Sequence, residues 1–161
     1  MYRMGLVLMA AGLLAACAAG GYMPANANGY GFSDRKLSTH GYEVTYVGED
    51  GLNQQQVDDF ALLRAAELGA AQGYAYLNVV SSRDGEGDLA GWRTIVDSMA
   101  SPRTSGQTQS TFVNGAVRVR ACTLVVIYSA APEPGLGEPS QAIPPLVVKL
   151  RTQYGLPGTV H

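Results

Sequence analysis

The clearest structural signal in this chain is a predicted helix whose first and last residues can both be recognised. Asn53 and Gln56 have the spacing of a capping box, in which each side chain bonds the other residue's backbone N–H. Gly73 is of the residue type that most often ends helices. The pattern predicts a helix over residues 54 to about 72. One side of its helical wheel gathers Val57, Phe60, Ala61, Leu68 and Ala71. We therefore expect a long amphipathic helix that buries this side.

Arg64 falls in the middle of this apolar side. Its aliphatic stem could pack on apolar surface while the guanidinium reaches solvent or pairs with Glu67, three residues further on. Alternatively, the guanidinium could hold an anionic group of a ligand. The sequence leaves both interpretations open, so Arg64 is a candidate partner-binding residue.

Segments on either side of the helix have the composition of strands. Residues 42–48 alternate apolar and polar side chains and predict the first strand. Residues 74–82 are rich in aromatic and β-branched side chains and predict a second strand. The polar segment 83–110 is predicted to be mostly loop, with a short strand or turn at residues 92–96.

A hairpin is predicted late in the chain. The Asn-Gly pair at residues 114–115 lies between strand-forming residues, which is the strongest short signal for a hairpin turn. The strand that follows, over residues 116–128, is apolar on both faces in its second half and is predicted to be central in the sheet. Residues 131–161 form a Pro/Gly-rich tail, in which residues 146–154 could form a short helix.

Together these segments predict an α+β fold. We expect one long amphipathic helix packed on a largely antiparallel sheet of about four strands, within a domain that spans residues 30–130. Residues 17–29 are rich in Gly, Ala and Asn and show no hydrophobic period. They predict a flexible tether that holds the domain off a surface. The tail over residues 131–161 completes the chain.

The first 16 residues have the layout of a signal peptide. Arg3 precedes an apolar run over residues 4–16, and small residues follow the run. The run is too short for a membrane-spanning helix, which needs about 20 apolar residues. We therefore expect an exported chain.

The apolar run ends in Leu14, Ala15, Ala16 and Cys17, which resemble the bacterial lipobox at all four positions. The resemblance implies cleavage before Cys17 and fatty acylation of Cys17, and two or three acyl chains anchor a protein stably. Ala18, rather than an aspartate, implies sorting to the outer membrane on its periplasmic side. The membrane is thus an expected partner of the chain through its lipid anchor.

Two further segments carry a family resemblance. "GYGFSDRKL" at residues 29–37 and "VDDFALLRAAELGAAQGYAYL" at residues 57–77 resemble segments of small uncharacterised envelope lipoproteins of the Caulobacter type. The resemblance covers roughly residues 29–82 and the late strand, and it implies a strand-helix-strand core without implying an activity. Gly31 and Phe60 depart from the usual pattern, and both departures bear on packing.

Residue sets for catalysis or metal binding are sparse. His40 and His161 are the two histidines, and no G-x-S-x-G elbow would present a serine to either of them. "DGEGD" at residues 84–88 places acidic residues at alternate positions, as calcium loops do. However, the sixth position of that loop is Leu89 and the twelfth is Ile95, so a solvated acidic loop is predicted instead. We expect no enzyme activity, no cofactor and no metal.

Acylation of Cys17 would leave Cys122 as the remaining thiol. Without a partner for an internal disulfide, Cys122 is either a buried, inert side chain or the site of an intermolecular disulfide. The basic residues are scattered along the chain rather than clustered, so no nucleic acid is expected as a partner.

These observations predict a membrane-anchored lipoprotein of the bacterial envelope with a non-catalytic interaction or structural role. Its expected partner is an envelope protein or polymer, and the candidate contact residues besides Arg64 are Tyr42, Tyr46 and Tyr76. These rings could equally fill the core or cover the sheet edge. An envelope stress sensor is the alternative function, and a cell-envelope hydrolase is the less favoured one.

Overall fold

The computed structural model describes residues 21–88, 118–135 and 137–158. Several sequence-based predictions concern residues outside these ranges: the signal peptide, the lipobox with Cys17, the segment at residues 92–96 and the hairpin turn at residues 114–115.

One antiparallel sheet forms the base of the described fold. Its strands are β1 (Gly31–Lys36), β2 (Gly41–Val47), β3 (Tyr76–Asp88), β4 (Arg118–Ser129) and β5 (Gln141–Ala142). They lie in the order β1-β2-β4-β3-β5, and each neighbouring pair is antiparallel. The central place of β4 confirms the prediction made from its apolar faces. Cys122 and Val126 face one buried side of the sheet, and Val119 and Ala121 face the other.

Two helices, α1 (Gln54–Ala71) and α2 (Ile143–Gln153), complete the described fold. α1 packs on β2, β3 and β4, and α2 packs on α1. Neither helix combines the length and the apolar character that crossing a membrane would require, within the part of the chain that the structure describes.

The prediction of one long helix on about four strands is wrong. The described residues form five strands and two helices, and α2 belongs to the core rather than to an appended tail. β1 escapes prediction because its sequence, GFSDRK, is half charged and lacks apolar alternation. β5 has two residues, which is too short for any periodic pattern. β3 continues to Asp88, so the prediction of a loop from residue 83 is also wrong.

The ends of α1 lie where the sequence predicts them. Asn53 Oδ1 accepts from the Gln56 N–H at 2.9 Å, and Gln56 Oε1 accepts from the Asn53 N–H at 2.9 Å, which completes the capping box. At the other end the Tyr74 N–H donates to the Gly69 carbonyl at 3.0 Å while Gly73 adopts a φ of +79°. This is a Schellman motif, which requires the left-handed conformation that glycine tolerates.

The burial of α1 differs from the predicted amphipathic pattern. The sequence predicts Ala71 and Leu68 on the core face, but Ala71 is exposed and Leu68 is half-buried. α1 lies between the sheet and α2, so it also buries residues outside the predicted face, among them Leu63 and Ala66. The buried residues are Val57, Phe60, Ala61, Leu63, Ala65, Ala66 and Gly69.

Part of the predicted tether is docked on the domain. The Phe32 N–H donates to the Met23 carbonyl at 2.9 Å, and the Ala25 N–H donates to the Phe32 carbonyl at 2.8 Å. The ring of Tyr22 lies 5.1 Å from that of Phe32 and 5.5 Å from that of Phe60. From residue 21 onward, the chain therefore follows the domain instead of forming the flexible tether that was expected.

Candidate functional site

A cluster of aromatic side chains lies where β2 begins and α1 ends. The ring of Tyr74 stacks on that of Tyr128 at 5.4 Å, and the ring of Tyr42 lies 5.8 Å from that of Tyr128. Tyr128 is buried and donates its hydroxyl proton to the Ala65 carbonyl at 2.7 Å. Burial raises the pKa of Tyr128, so this anchoring phenol stays neutral. Tyr42 and Tyr74 are half-buried and rest on it.

His40 extends this cluster into solvent. Its Nδ1 lies 2.8 Å from the Tyr74 hydroxyl, and its ring meets that of Tyr74 edge-on at 5.6 Å. The Tyr42 hydroxyl donates to Gln72 Oε1 at 3.3 Å, which ties the ring to the end of α1. We call the rings of His40, Tyr42 and Tyr74 the aromatic surface. It presents apolar ring area with polar tips, the combination that suits recognition of a partner.

Lys36 borders the aromatic surface. Its Nζ lies 5.9 Å from the centre of the Tyr42 ring, within the range of a cation–π interaction. The two residues are paired across β1 and β2, so the sheet register sets this contact. The surface therefore offers a positive charge beside its aromatic rings.

Tyr46 lies in the core and is no part of the aromatic surface. It is 0% exposed, its ring lies 5.2 Å from that of Phe60, and its hydroxyl donates to the Gly21 carbonyl. Burial, with a contribution from Glu49, raises the pKa of Tyr46. The alternative that the sequence left open, a core-filling ring, applies to this residue.

Tyr76 lies apart from Tyr42. It is half-buried on β3, where it pairs with Ser129 of β4. Its neighbour Leu77 belongs to the core under the helices, so the alternation of the strand places Tyr76 on the opposite face of the sheet. The structure therefore does not bring the three tyrosines of the prediction together.

Arg64 is paired within the domain. Its Nε and Nη2 donate to Asp34 Oδ1 at 2.9 and 2.7 Å, and its guanidinium lies 4.5 Å from the centre of the Phe32 ring. Glu67, the partner considered from the sequence, instead accepts from Tyr22 and Arg151. Because Asp34 already neutralises Arg64, its contacts fit a role in joining β1 to α1 better than a role in holding an anion.

A second group of side chains lies at the other end of α1. Asp58 of α1, Asp84 of β3 and Cys122 of β4 bring two carboxylate oxygens and a sulfur within 4.8 Å of one another. Asp84 and Cys122 are paired across the two strands. The bulge between Val79 and Ser81 shifts the alternation of β3 by one residue, which turns Asp84 toward the helix. Asp84 therefore lies on a strand facing α1 instead of in the predicted acidic loop.

We call Asp58, Asp84 and Cys122 the thiol cluster, and the burial of Cys122 beside the two carboxylates decides its protonation. Burial raises the pKa of the Cys122 thiol, and the hydrogen bond and charge of Asp84 raise it further. Burial also raises the pKa of Asp58, whose carboxylate accepts from Gln54 Nε2 at 2.7 Å. Among the described residues, these three side chains are close enough to share a cation. Such an ion would have to displace a tightly held thiol proton, so its binding would weaken as pH falls.

Cys122 is expected to resist thiol reagents in the folded protein. Its side chain is 0% exposed and its pKa is raised, so both access and thiolate population are low. Labelling with a maleimide should be at least about 100-fold slower in buffer than in denaturant, since it would require local opening of the fold. Rapid labelling of native protein, or a disulfide-linked dimer in isolated envelopes, would show that Cys122 is an intermolecular contact instead.

No family model matches the chain, and neither curated proteins nor solved structures include a match. The resemblance to Caulobacter-type lipoproteins therefore stays a prediction from the sequence.

Proposed function

We propose that this protein is a lipid-anchored component of the bacterial envelope, acylated on Cys17, which binds an envelope protein or polymer without catalysing a reaction. The lipobox from Leu14 to Cys17 supports the anchor, and Ala18 supports the outer membrane as its location. The aromatic surface is the observation that carries the binding role.

Rigidity makes the aromatic surface suitable for binding. The rings of Tyr42 and Tyr74 both rest on buried Tyr128, which is itself fixed to α1 by its hydrogen bond to Ala65. A partner that docks on these rings would not have to immobilise them first, so less conformational entropy is lost on binding. The Tyr42 and Tyr74 hydroxyls and Lys36 supply the polar contacts that give such a surface specificity.

The chemistry of the described residues also favours binding over catalysis. His40 Nδ1 is engaged by a tyrosine hydroxyl rather than by a carboxylate that would orient it as a base. The Cys122 thiol has a raised pKa and is buried, which is the reverse of an activated nucleophile.

Site-specific cross-linking in living cells tests the proposal. A benzoylphenylalanine at Tyr74 should give a discrete adduct, whereas the same probe at Gln55, an exposed position at the start of α1, should not. The adduct should disappear in the Cys17→Ala protein at equal expression, because the anchor raises the local concentration of both partners at the membrane. Mass spectrometry of the mature N-terminal peptide should show an acylated Cys17.

Three results would contradict the proposal. An unmodified Cys17 would remove the anchor, and equal labelling from Tyr74 and Gln55 would remove the binding role of the aromatic surface. Turnover of a cell-wall substrate by the purified protein would show that the protein is a hydrolase.

A further inference from the structure

The segment that follows the predicted anchor is held on the domain by several independent contacts. The ring of Tyr22 lies against those of Phe32, Tyr46 and Phe60, with centres 5.1, 6.5 and 5.5 Å away. Its hydroxyl donates to Glu67 of α1 at 2.5 Å. Met23 and Ala25 add backbone hydrogen bonds to β1. These contacts fix the chain on the domain from residue 21 onward.

Gly31 makes this close attachment sterically feasible. It adopts a φ of +110°, and a Cβ at this position would lie 2.5 Å from the Met23 carbonyl oxygen and 2.7 Å from that of Pro24. Any other residue would push the attached segment away from β1. The glycine that departs from the family pattern therefore has a specific structural role in this chain.

The attachment leaves little chain between the proposed anchor and the domain. Three residues, at positions 18–20, separate Cys17 from Gly21. Fully extended, the steps from Cys17 to Gly21 reach about 14 Å at most. We propose that this short connector, residues 18–20, holds the end of the domain around Leu52 against the surface of the phospholipid bilayer. This inference rests on the proposed acylation of Cys17.

The position of Gly21 decides which end meets the membrane. A Cβ on Gly21 would lie 3.2 Å from Leu52 Cδ1, and Leu52 immediately precedes the cap of α1. The aromatic surface is tied to Gln72 at the opposite end of this 18-residue helix, about 27 Å away. The connector therefore turns the aromatic surface away from the bilayer. In that orientation a periplasmic partner can reach the aromatic surface.

Charge does not account for this orientation. The exposed residues Glu49 and Asp50 lie in the turn before Leu52, and an anionic bilayer would repel them. The shortness of the connector, rather than electrostatic attraction, therefore keeps this end of the domain at the membrane. A longer connector should consequently let the end around Leu52 move away from the membrane.

Fluorescence quenching in vesicles tests this orientation. The acylated protein would carry a fluorophore on Asp50→Cys or on Ala71→Cys, both at exposed positions near opposite ends of α1. The parent chain, whose Cys122 is buried, controls for background labelling. In vesicles of phosphatidylethanolamine and phosphatidylglycerol with a nitroxide on some headgroups, we expect several-fold stronger quenching at position 50 than at position 71.

Two further variants test whether the length of the connector, rather than another cause, sets the orientation of the domain. A Gly/Ser linker of about 20 residues inserted before Gly21 spans about 25 Å on average and should reduce quenching at position 50 to the level at position 71. Tyr22→Ala, which removes the ring contacts of the attached segment, should reduce it without any insertion.

The outcomes distinguish this inference from the proposed function. Protein that fails to float with vesicles would overturn both the acylation and the inference. Floating protein with equal quenching at positions 50 and 71, or with quenching that the linker leaves unchanged, would overturn the orientation alone.

Discussion

Leu63→Asp is expected to prevent the domain from folding. Leu63 is 0% exposed in the core that α1 shares with the sheet and α2. Removing a buried leucine side chain alone costs about 2–5 kcal/mol, and an unpaired carboxylate in its place adds a desolvation cost of similar size. The sum is comparable to the entire stability of a small domain, about 5–15 kcal/mol. Circular dichroism should show no cooperative thermal transition.

Leu68 supplies the matched control for this substitution. It lies on the same helix and has the same side chain, but it is half-buried. Leu68→Asp can keep its charge in contact with water, so we expect a folded protein with a lowered melting temperature. The milder pair, Leu63→Ala and Leu68→Ala, should follow the same order. Equal sensitivity of the two positions would show that Leu63 is no more deeply buried than Leu68.

The ends of α1 could be predicted because they depend on nearby residues. A capping box and a Schellman motif involve side chains and backbone groups within one turn of helix, so Asn53, Gln56 and Gly73 were sufficient. The buried faces of α1 depend instead on α2, which begins more than 70 residues later. A helical wheel assumes one core face, so it omits the buried Leu63. It also takes no account of where the helix ends, and Ala71, the last residue of α1, is exposed.

The candidate sites were harder to predict because strand register decides them. Tyr42 and Tyr46 share a face in the sequence pattern, yet one reaches the end of the sheet and the other lies beneath the attached Tyr22. The thiol cluster depends on a single-residue bulge in β3, which no composition signal announces. His40 lies in a bend just before β2, as the sequence predicts, but its contact with Tyr74 could not be predicted because the two residues are 34 positions apart.

Raising the pH above 10 is expected to destabilise the protein steeply. Burial raises the pKa values of Tyr46 and Tyr128 above the ordinary phenol value of about 10. The pKa of each phenol is higher in the folded chain than in the unfolded chain. The contribution of each neutral phenol to the free energy of unfolding is therefore fully present below about pH 10, and it is lost as the pH rises toward the folded-state pKa. At pH 11, ionisation of each of these phenols in the unfolded chain lowers the free energy of unfolding by about 1.4 kcal/mol. The two together lower it by about 3 kcal/mol.

Tyr22 should add to this loss and connect it to the attached segment. Burial raises its pKa, and the hydrogen bond to Glu67 raises it further, because an ionised phenol could no longer donate to that carboxylate. Urea unfolding at pH 8 and pH 11 should show the loss, and Tyr46→Phe should reduce its size because one titrating group is removed. Alkaline pH should therefore weaken both the core and the attachment of residues 21–25. A stability that is unchanged between pH 8 and pH 11 would show that these phenols are not buried as described.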